Sequence, residues 1–251
     1  MEEQVDRLVD KAWSNFRKTP RSRRLMIAVS GIPGSGKTTL AATVAKRLNA
    51  LHHEESPGLS LSDNVAAFIP MDGYHLSREQ LSAMPDPDTA HARRGAAFTF
   101  DAPAFLELVK KLRKPLCPES STLYAPSFDH AVKDPVHEDI PIHPHARIVI
   151  FEGNYLSLGA GAKEWKDAAE LMDELWFVEV DHKVARKRLV ARHVAAGLAK
   201  DEDEAGRRAD ENDLVNGEEI KRGRLPVHEI VHSREDERWM PESQGMETAR
   251  A

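Results

Sequence analysis

The chain has 251 residues, 41% of them hydrophobic and 30% charged, with a formal net charge of −6. That length supports one domain with a sizeable core, and the acidic balance argues against a general nucleic-acid binder. No apolar run approaches the roughly 18–20 residues of a membrane span, and the single cysteine, Cys117, excludes an internal disulfide. The acidic N-terminus has no apolar signal region. A soluble cytoplasmic protein is therefore the expectation.

Taken in order, residues 3–18 place Val5, Leu8, Val9, Ala12, Trp13 and Phe16 on one helical stripe. The stripe predicts a helix packed on the domain, within residues 1–21; docking to a partner is the sharper alternative. Leu25 to Ser30 is an apolar run of the length of a buried parallel strand. It leads into Gly31-Ile32-Pro33-Gly34-Ser35-Gly36-Lys37-Thr38, which fits the phosphate-loop pattern at every required position. Thr39 opens a helix with Leu40, Val44 and Leu48 on one side. Strand, glycine loop and helix come in the order this motif needs. Gly31, Pro33, Gly34, Ser35, Gly36, Lys37, Thr38 and Thr39 are thus candidates to bind a nucleotide triphosphate. Lys37 would reach the β/γ-phosphates and the Thr38 hydroxyl a Mg²⁺ ion.

Residues 52–64 read as a surface loop, and 65–71 as a second buried strand running into Asp72-Gly73-Tyr74-His75. A short helix starts at Leu76 and breaks at Pro85-Asp86-Pro87-Asp88. Arg93-Arg94-Gly95 precedes a helix carrying Phe105, Leu106, Leu108, Val109 and Leu112. Residues 114–146 show no long periodic segment, but two short strands or extended pieces around 121–124 and 136–140. So long an irregular region inside a domain is usually functional. Residues 147–151 form a third strand ending at Glu152, 165–172 a short helix, and 175–180 a fourth strand. Asp181 caps a helix over 182–196. Residues 197–224 are polar and strongly charged with little apolar periodicity, and 197–217 would form a lid. Residues 225–231 give a fifth strand, and 233–251 a polar, fraying tail.

Strands alternate with helices, which means a parallel sheet covered on both faces, with ligands at the carboxyl ends of the strands. Those ends carry the phosphate loop, Asp72 and Glu152. One carboxylate can take the proton of an attacking hydroxyl while the other holds Mg²⁺; phosphoryl transfer needs little beyond positioning and charge neutralisation. Each acid by itself equally suits a helix cap. Arg93 and Arg94 could clamp a substrate bidentately or stand as a solvated pair. Arg188 and Arg192 share a helix face and could steady the migrating phosphoryl group; Arg186 lies on the same helix. His75 could contact substrate or equally be a packed or solvated histidine. His130, His137, His143 and His145 do not follow a zinc spacing. Trp13, Trp165 and Trp176 read as core residues.

The phosphate loop, Asp72-Gly73-Tyr74-His75, the segment from Arg93-Arg94-Gly95 to Phe100-Asp101, Phe151-Glu152-Gly153 and the Arg-rich helix 186–192 occur in this order in one family. Over residues 22–232 the chain resembles the P-loop kinases of the uridine kinase, phosphoribulokinase and pantothenate kinase superfamily, closest to poorly characterised fungal and bacterial members. The resemblance implies an α/β P-loop NTPase three-layer sandwich with a five-stranded parallel sheet, nucleoside-monophosphate-kinase-like. It implies ATP and Mg²⁺ as cofactors and transfer of the γ-phosphate to a small-molecule hydroxyl. Asp72 looks like the family's catalytic base, Glu152 like its second acid near magnesium, and Arg188 and Arg192 like phosphate-contacting arginines beside the lid. Tyr74, Arg93, Asp101 and His130 fall in segments that form the acceptor pocket in relatives. Phe128-Asp129-His130 departs from the Tyr-Asp stretch of uridine kinases.

The expectation is an ATP- and Mg²⁺-dependent kinase acting on a nucleoside, with a pantothenate-like or sugar acceptor as the alternative. Asp72, Lys37, Glu152, Arg188 and Arg192 would carry the chemistry, and Thr38, Glu152 and Asp72 would face the metal. A small molecule is the expected partner, neither nucleic acid nor a membrane is, and a homodimer is compatible with the sequence. The rivals are a regulatory ATP-binding factor and a nucleic-acid-end kinase.

Overall fold

The computed structural model describes residues 1–58, 60 and 63–236. Along the chain come α1 (Glu2–Lys18), β1 (Leu25–Gly31), α2 (Lys37–Glu55), β2 (Ala66–Pro70), a 3₁₀ turn (Met71–Tyr74), α3 (Arg78–Ser82) and α4 (Pro87–Ala92). After a second 3₁₀ turn (Ala97–Thr99) follow α5 (Ala102–Arg113), β3 (Leu123–Asp129), β4 (Asp134–Ile142), β5 (Ile148–Gly153), α6 (Lys163–Glu170) and β6 (Glu174–Glu179). The last elements are α7 (His182–Ala195), α8 (Glu202–Arg208), a π-helical turn (Ala209–Asp213), α9 (Leu214–Gly223) and β7 (Glu229–His232).

β1 is buried at all seven positions and apolar from Leu25 to Val29, as suits a strand covered on both faces. It sits mid-sheet in the order β2–β5–β1–β6–β7, and every pairing is parallel. Its side chains alternate between two cores. Ile27 and Val29 join Leu8 of α1, Leu40 and Val44 of α2 and Trp176 on one face. Met26 and Ala28 join Phe105, Trp165, Leu189 and Ile220 on the other. Helices therefore cover both faces, giving the α/β P-loop sandwich that the alternating pattern implies.

Local signals set the helix starts. Asp181 accepts from the Lys183 amide to cap α7, and Asp101 accepts from Ala104 to cap α5. The α1 stripe is buried at Val5, Leu8, Val9, Ala12 and Trp13. Its polar flank also grips the edge strand. Lys11 Nζ lies 2.8 Å from both Glu174 and Glu229, and Gln4 exchanges two hydrogen bonds with the His232 backbone. β7 thus gains side-chain partners beyond its single neighbouring strand.

Two readings of the sequence change, and the two short extended pieces prove longer and paired. The helix after the phosphate loop runs on to Glu55, through residues read as loop. The irregular region holds an antiparallel hairpin, β3–β4, whose register shifts between Ala125 and Ser127. Residues 202–223 are helical, although no apolar stripe announces them. Their buried positions include Ala205, Gly206, Ala209, Asn212, Asn216 and Gly217, which are small or polar, and the two larger apolar residues buried with them, Leu214 and Ile220, do not make a helical stripe. The tail reading of residues 233–251 lies, beyond 236, outside the described residues.

Leu8 is fully buried between α1 and the sheet. Leu8→Ala should cost about 2–5 kcal/mol, read as a lower urea midpoint. A variant as stable as the parent would show that α1 is not integral to the domain.

Candidate active site

β1 delivers the chain to the phosphate loop. Gly34 and Gly36 adopt φ values of 77° and 86°, a left-handed conformation that glycine takes without strain. Gly36 is the N-cap of α2, and no side chain caps that helix. The first-turn N–H groups therefore face outward as an anion site. Ser35 Oγ is buried in the loop without a hydrogen-bond partner. Arg188 of α7 donates to the Gly34 carbonyl (3.2 Å), Ser233 Oγ (2.9 Å) and the Arg234 carbonyl (3.1 Å). It ties the loop to the chain leaving β7.

Lys37 is buried, with Nζ 3.8 Å from Glu152 Oε1. β5 lies between β1 and β2, so Glu152 sits opposite Val29 on one side and Pro70 on the other. Asp72 follows Pro70 by two residues in the 3₁₀ turn. The two glycines after these acids allow close approach. A Cβ on Gly153 would come within 2.4 Å of Met71 Cβ, and one on Gly73 within 2.1 Å of the Pro126 carbonyl oxygen. Glycine thus lets β5, the Asp72 turn and the hairpin meet.

Burial pushes the Glu152 carboxyl up to about 7, with Lys37 opposing and Asp72 reinforcing the shift. Burial also lowers the Lys37 ammonium, against the pull of Glu152. Desolvation is the largest cause for both, so an incoming phosphate would favour the charged lysine and a cation the charged carboxylate. Arg192, exposed on α7, and Asp72 both act electrostatically on this pair. The Thr38 hydroxyl with the Glu152 and Asp72 carboxylates forms the hard oxygen donor set that Mg²⁺ accepts together with phosphate oxygens. Among the described residues no group of three His, Cys, Asp or Glu forms an all-protein metal site.

Beyond Asp72, Tyr74 is 5% exposed and packs edge-on against Phe105. His75 lies between Phe100 and Phe128, and its Nδ1 donates to the Asp72 carbonyl (2.8 Å). Burial holds its pKa down, so the ring is neutral and Nε2 carries a lone pair. Arg94 is committed to the fold. It donates to the Lys133 and Leu76 carbonyls, pairs with Asp134 and lies over the Phe128 ring. Asp101 is spent on capping α5. His130 is exposed at the hairpin turn beside Phe128. Arg186 makes a bidentate pair with Asp210 on the π turn.

Four residues of the site carry no signal in the sequence. Asn212 and Asn216, both buried, accept from Arg93 at 3.0 and 2.7 Å. Asp213 acts electrostatically on Lys37, and its Oδ2 is 3.3 Å from Nε2 of the buried His193. All four lie in helices whose polar character hid their inward positions. The π turn at 209–213 is the one local irregularity here, and such turns recur at functional sites.

A central parallel sheet, a phosphate loop and two carboxylates at neighbouring strand ends define the P-loop kinase class of α/β protein. The chain is 54% identical over 161 residues to an ATP-dependent kinase-like protein, notR', of Aspergillus versicolor, covering 64% of this chain and 92% of the relative. It is 45% identical over 194 residues, 77% of each chain, to a provisionally named uridine kinase of Schizosaccharomyces pombe. The solved structure of YFH7 from Saccharomyces cerevisiae, which is named an ATP-dependent kinase, superposes with a TM-score of 0.78 at 26% identity, covering 92% of this chain and 99% of that one. The chain belongs to the uridine kinase-like family of P-loop kinases. No family model matches it. No helix among the described residues is long and apolar enough to cross a membrane.

The folded Glu152 pKa of about 7 lies above its ordinary value of 4.5. The folded protein keeps a proton there that the unfolded chain releases. This group's contribution to stability therefore falls as pH rises from 4.5 to 7, with a slope approaching about 1.4 kcal/mol per pH unit, and is flat above. Glutamine does not titrate, so the stability of the parent relative to Glu152→Gln should fall across that window in urea unfolding. A constant difference from pH 4.5 to 8 would show that Glu152 is ionised throughout.

Proposed function

We propose that this chain transfers the γ-phosphate of ATP to a hydroxyl of a small metabolite, with a nucleoside as the first acceptor to try. The observation that carries the reading is the placement of Asp72 and Glu152 at the ends of neighbouring strands beside the buried Lys37. Asp72 takes the proton of the attacking hydroxyl. Lys37 and the uncapped first turn of α2 neutralise charge on the β/γ-phosphates. Arg192, on the face of α7 that Lys37 and Glu152 sense, steadies the phosphoryl group in transit. Thr38, Glu152 and Asp72 would hold Mg²⁺, which when bound would supply positive charge to offset that of the phosphates. The kinase names of the relatives support the same chemistry.

The test is a panel of nucleosides, pantothenate, glycerate and sugars with γ-labelled ATP. Label should move to at least one acceptor. Asp72→Asn should then lower kcat by about 10²–10⁴-fold while ATP affinity changes little. Undiminished turnover in that variant removes Asp72 from the role. Hydrolysis that no acceptor stimulates favours an ATP-binding regulatory factor instead.

A further inference from the structure

Arg93 is held in an unusual manner for an arginine beside a charged site. Its Nε donates to Asn212 Oδ1 at 3.0 Å and its Nη2 to Asn216 Oδ1 at 2.7 Å. Both anchors are neutral amides, and they are 7% and 1% exposed. The amides are themselves fixed: Asn212 Nδ2 donates to the Arg94 carbonyl at 3.1 Å, and Asn216 Nδ2 faces Asn212 Oδ1 at 3.4 Å. The neighbouring loop is fixed as well, because the Tyr155 hydroxyl donates to the Gly95 carbonyl at 2.6 Å.

Burying two asparagines is costly unless their polar atoms are paired. Here Arg93 supplies the donors to both side-chain oxygens, two of the four hydrogen bonds that the asparagine side chains make. The choice of amides has a chemical consequence. A carboxylate at either place would hold the guanidinium more tightly but would also cancel its charge. Asparagine orients it and leaves the charge available. The nearest carboxylate, Glu219, is 3.8 Å from Nη2 on a largely exposed side chain, where screening leaves it little effect. Nη1 has no partner among the described residues, and the Arg93 side chain is 30% exposed. One edge of the fork is thus anchored, and the other keeps its donors.

We propose that Asn212 and Asn216 are positioning residues that hold Arg93 by its Nε edge so that Nη1 is presented to oxygen atoms of the phosphate acceptor. This rests on the kinase reading above. It also gives the π turn a role. The turn ends at Asp213, so it lies between α8 and the helix that bears Asn216, and Asn212 is within it. The same turn is tied to α7 through Arg186–Asp210. The acceptor arginine is therefore ordered only while residues 202–223 are docked.

Two measurements test this. The first needs no acceptor: the hydrogen-exchange rate of the Arg93 Nε–H, observed by NMR in the full chain and assigned by its loss in Arg93→Lys. The parent should show a protected signal, and Asn212→Ala should raise the exchange rate at least about tenfold. An unprotected signal in the parent, or equal protection in the variant, overturns the proposal. Asn216→Ala, which releases Nη2 alone, serves if Asn212→Ala does not fold.

The second uses whichever acceptor takes label in the panel. Asn212→Ala should raise the acceptor KM about tenfold, leave the ATP KM unchanged, and add nothing further in an Arg93→Ala background. A full additional rise in that background overturns the proposal, because the asparagine would then act independently of Arg93. If no acceptor takes label, the kinase reading has failed, and the exchange measurement still decides whether the clamp exists.

Discussion

The site depends on the parallel register that places β5 between β1 and β2. Hydrogen bonding along β5 sets Glu152 opposite Val29 and Pro70 at once, and so brings the end of the phosphate-loop strand and the end of the Asp72 strand to the same acid. A slip of one residue would turn Glu152 to the other face. The slip is prevented by burial: β1 and β5 are apolar on both faces and fully covered. The cores are thus not only a source of stability. They fix the distance between Lys37 and the carboxylates.

That placement creates an electrostatic problem that the protein leaves partly unsolved. A lysine and a glutamate are buried together at 3.8 Å, and burial moves both toward their neutral forms. A site of this kind is poised to gain from an incoming ligand. Phosphate oxygens would favour the charged form of Lys37, and a cation that of Glu152. The energy missing from the empty pair becomes available when the ligand binds. The start of α2 follows the same logic, since no side chain among the described residues caps it.

Much of this was legible in the sequence for a simple reason. The residues that meet phosphate lie in short contiguous segments, where spacing alone specifies geometry. The apolar runs 25–30, 65–71 and 147–151 could only be buried strands, so Asp72 and Glu152 could be recognised as strand-end acids. The acceptor side was read less well. Arg93 and Arg94 look alike in sequence, yet Arg94 is consumed by Asp134, two carbonyls and the Phe128 ring, while Arg93 keeps free donors. Asp101 also caps α5 through Oδ1, a tie that its place after Phe100 did not announce. Which arginine is spent depends on the β3–β4 hairpin and α9, which lie 30 to 120 residues farther along the chain.

The sequence by itself determined the class of protein, the sheet and the phosphate-binding half of the site, because those follow from local pattern and from apolar burial. Only the tertiary structure decided the other half. Residues 202–223 approach the domain so closely that Gly206 lies against Arg186 and Gly217 against Ile32. Close approach admits small and polar residues at the interface, which erases the hydrophobic period that would have marked a helix. Asn212 and Asn216 acquire their meaning from Arg93, more than a hundred residues away, and a pairing at that separation leaves no trace in local spacing.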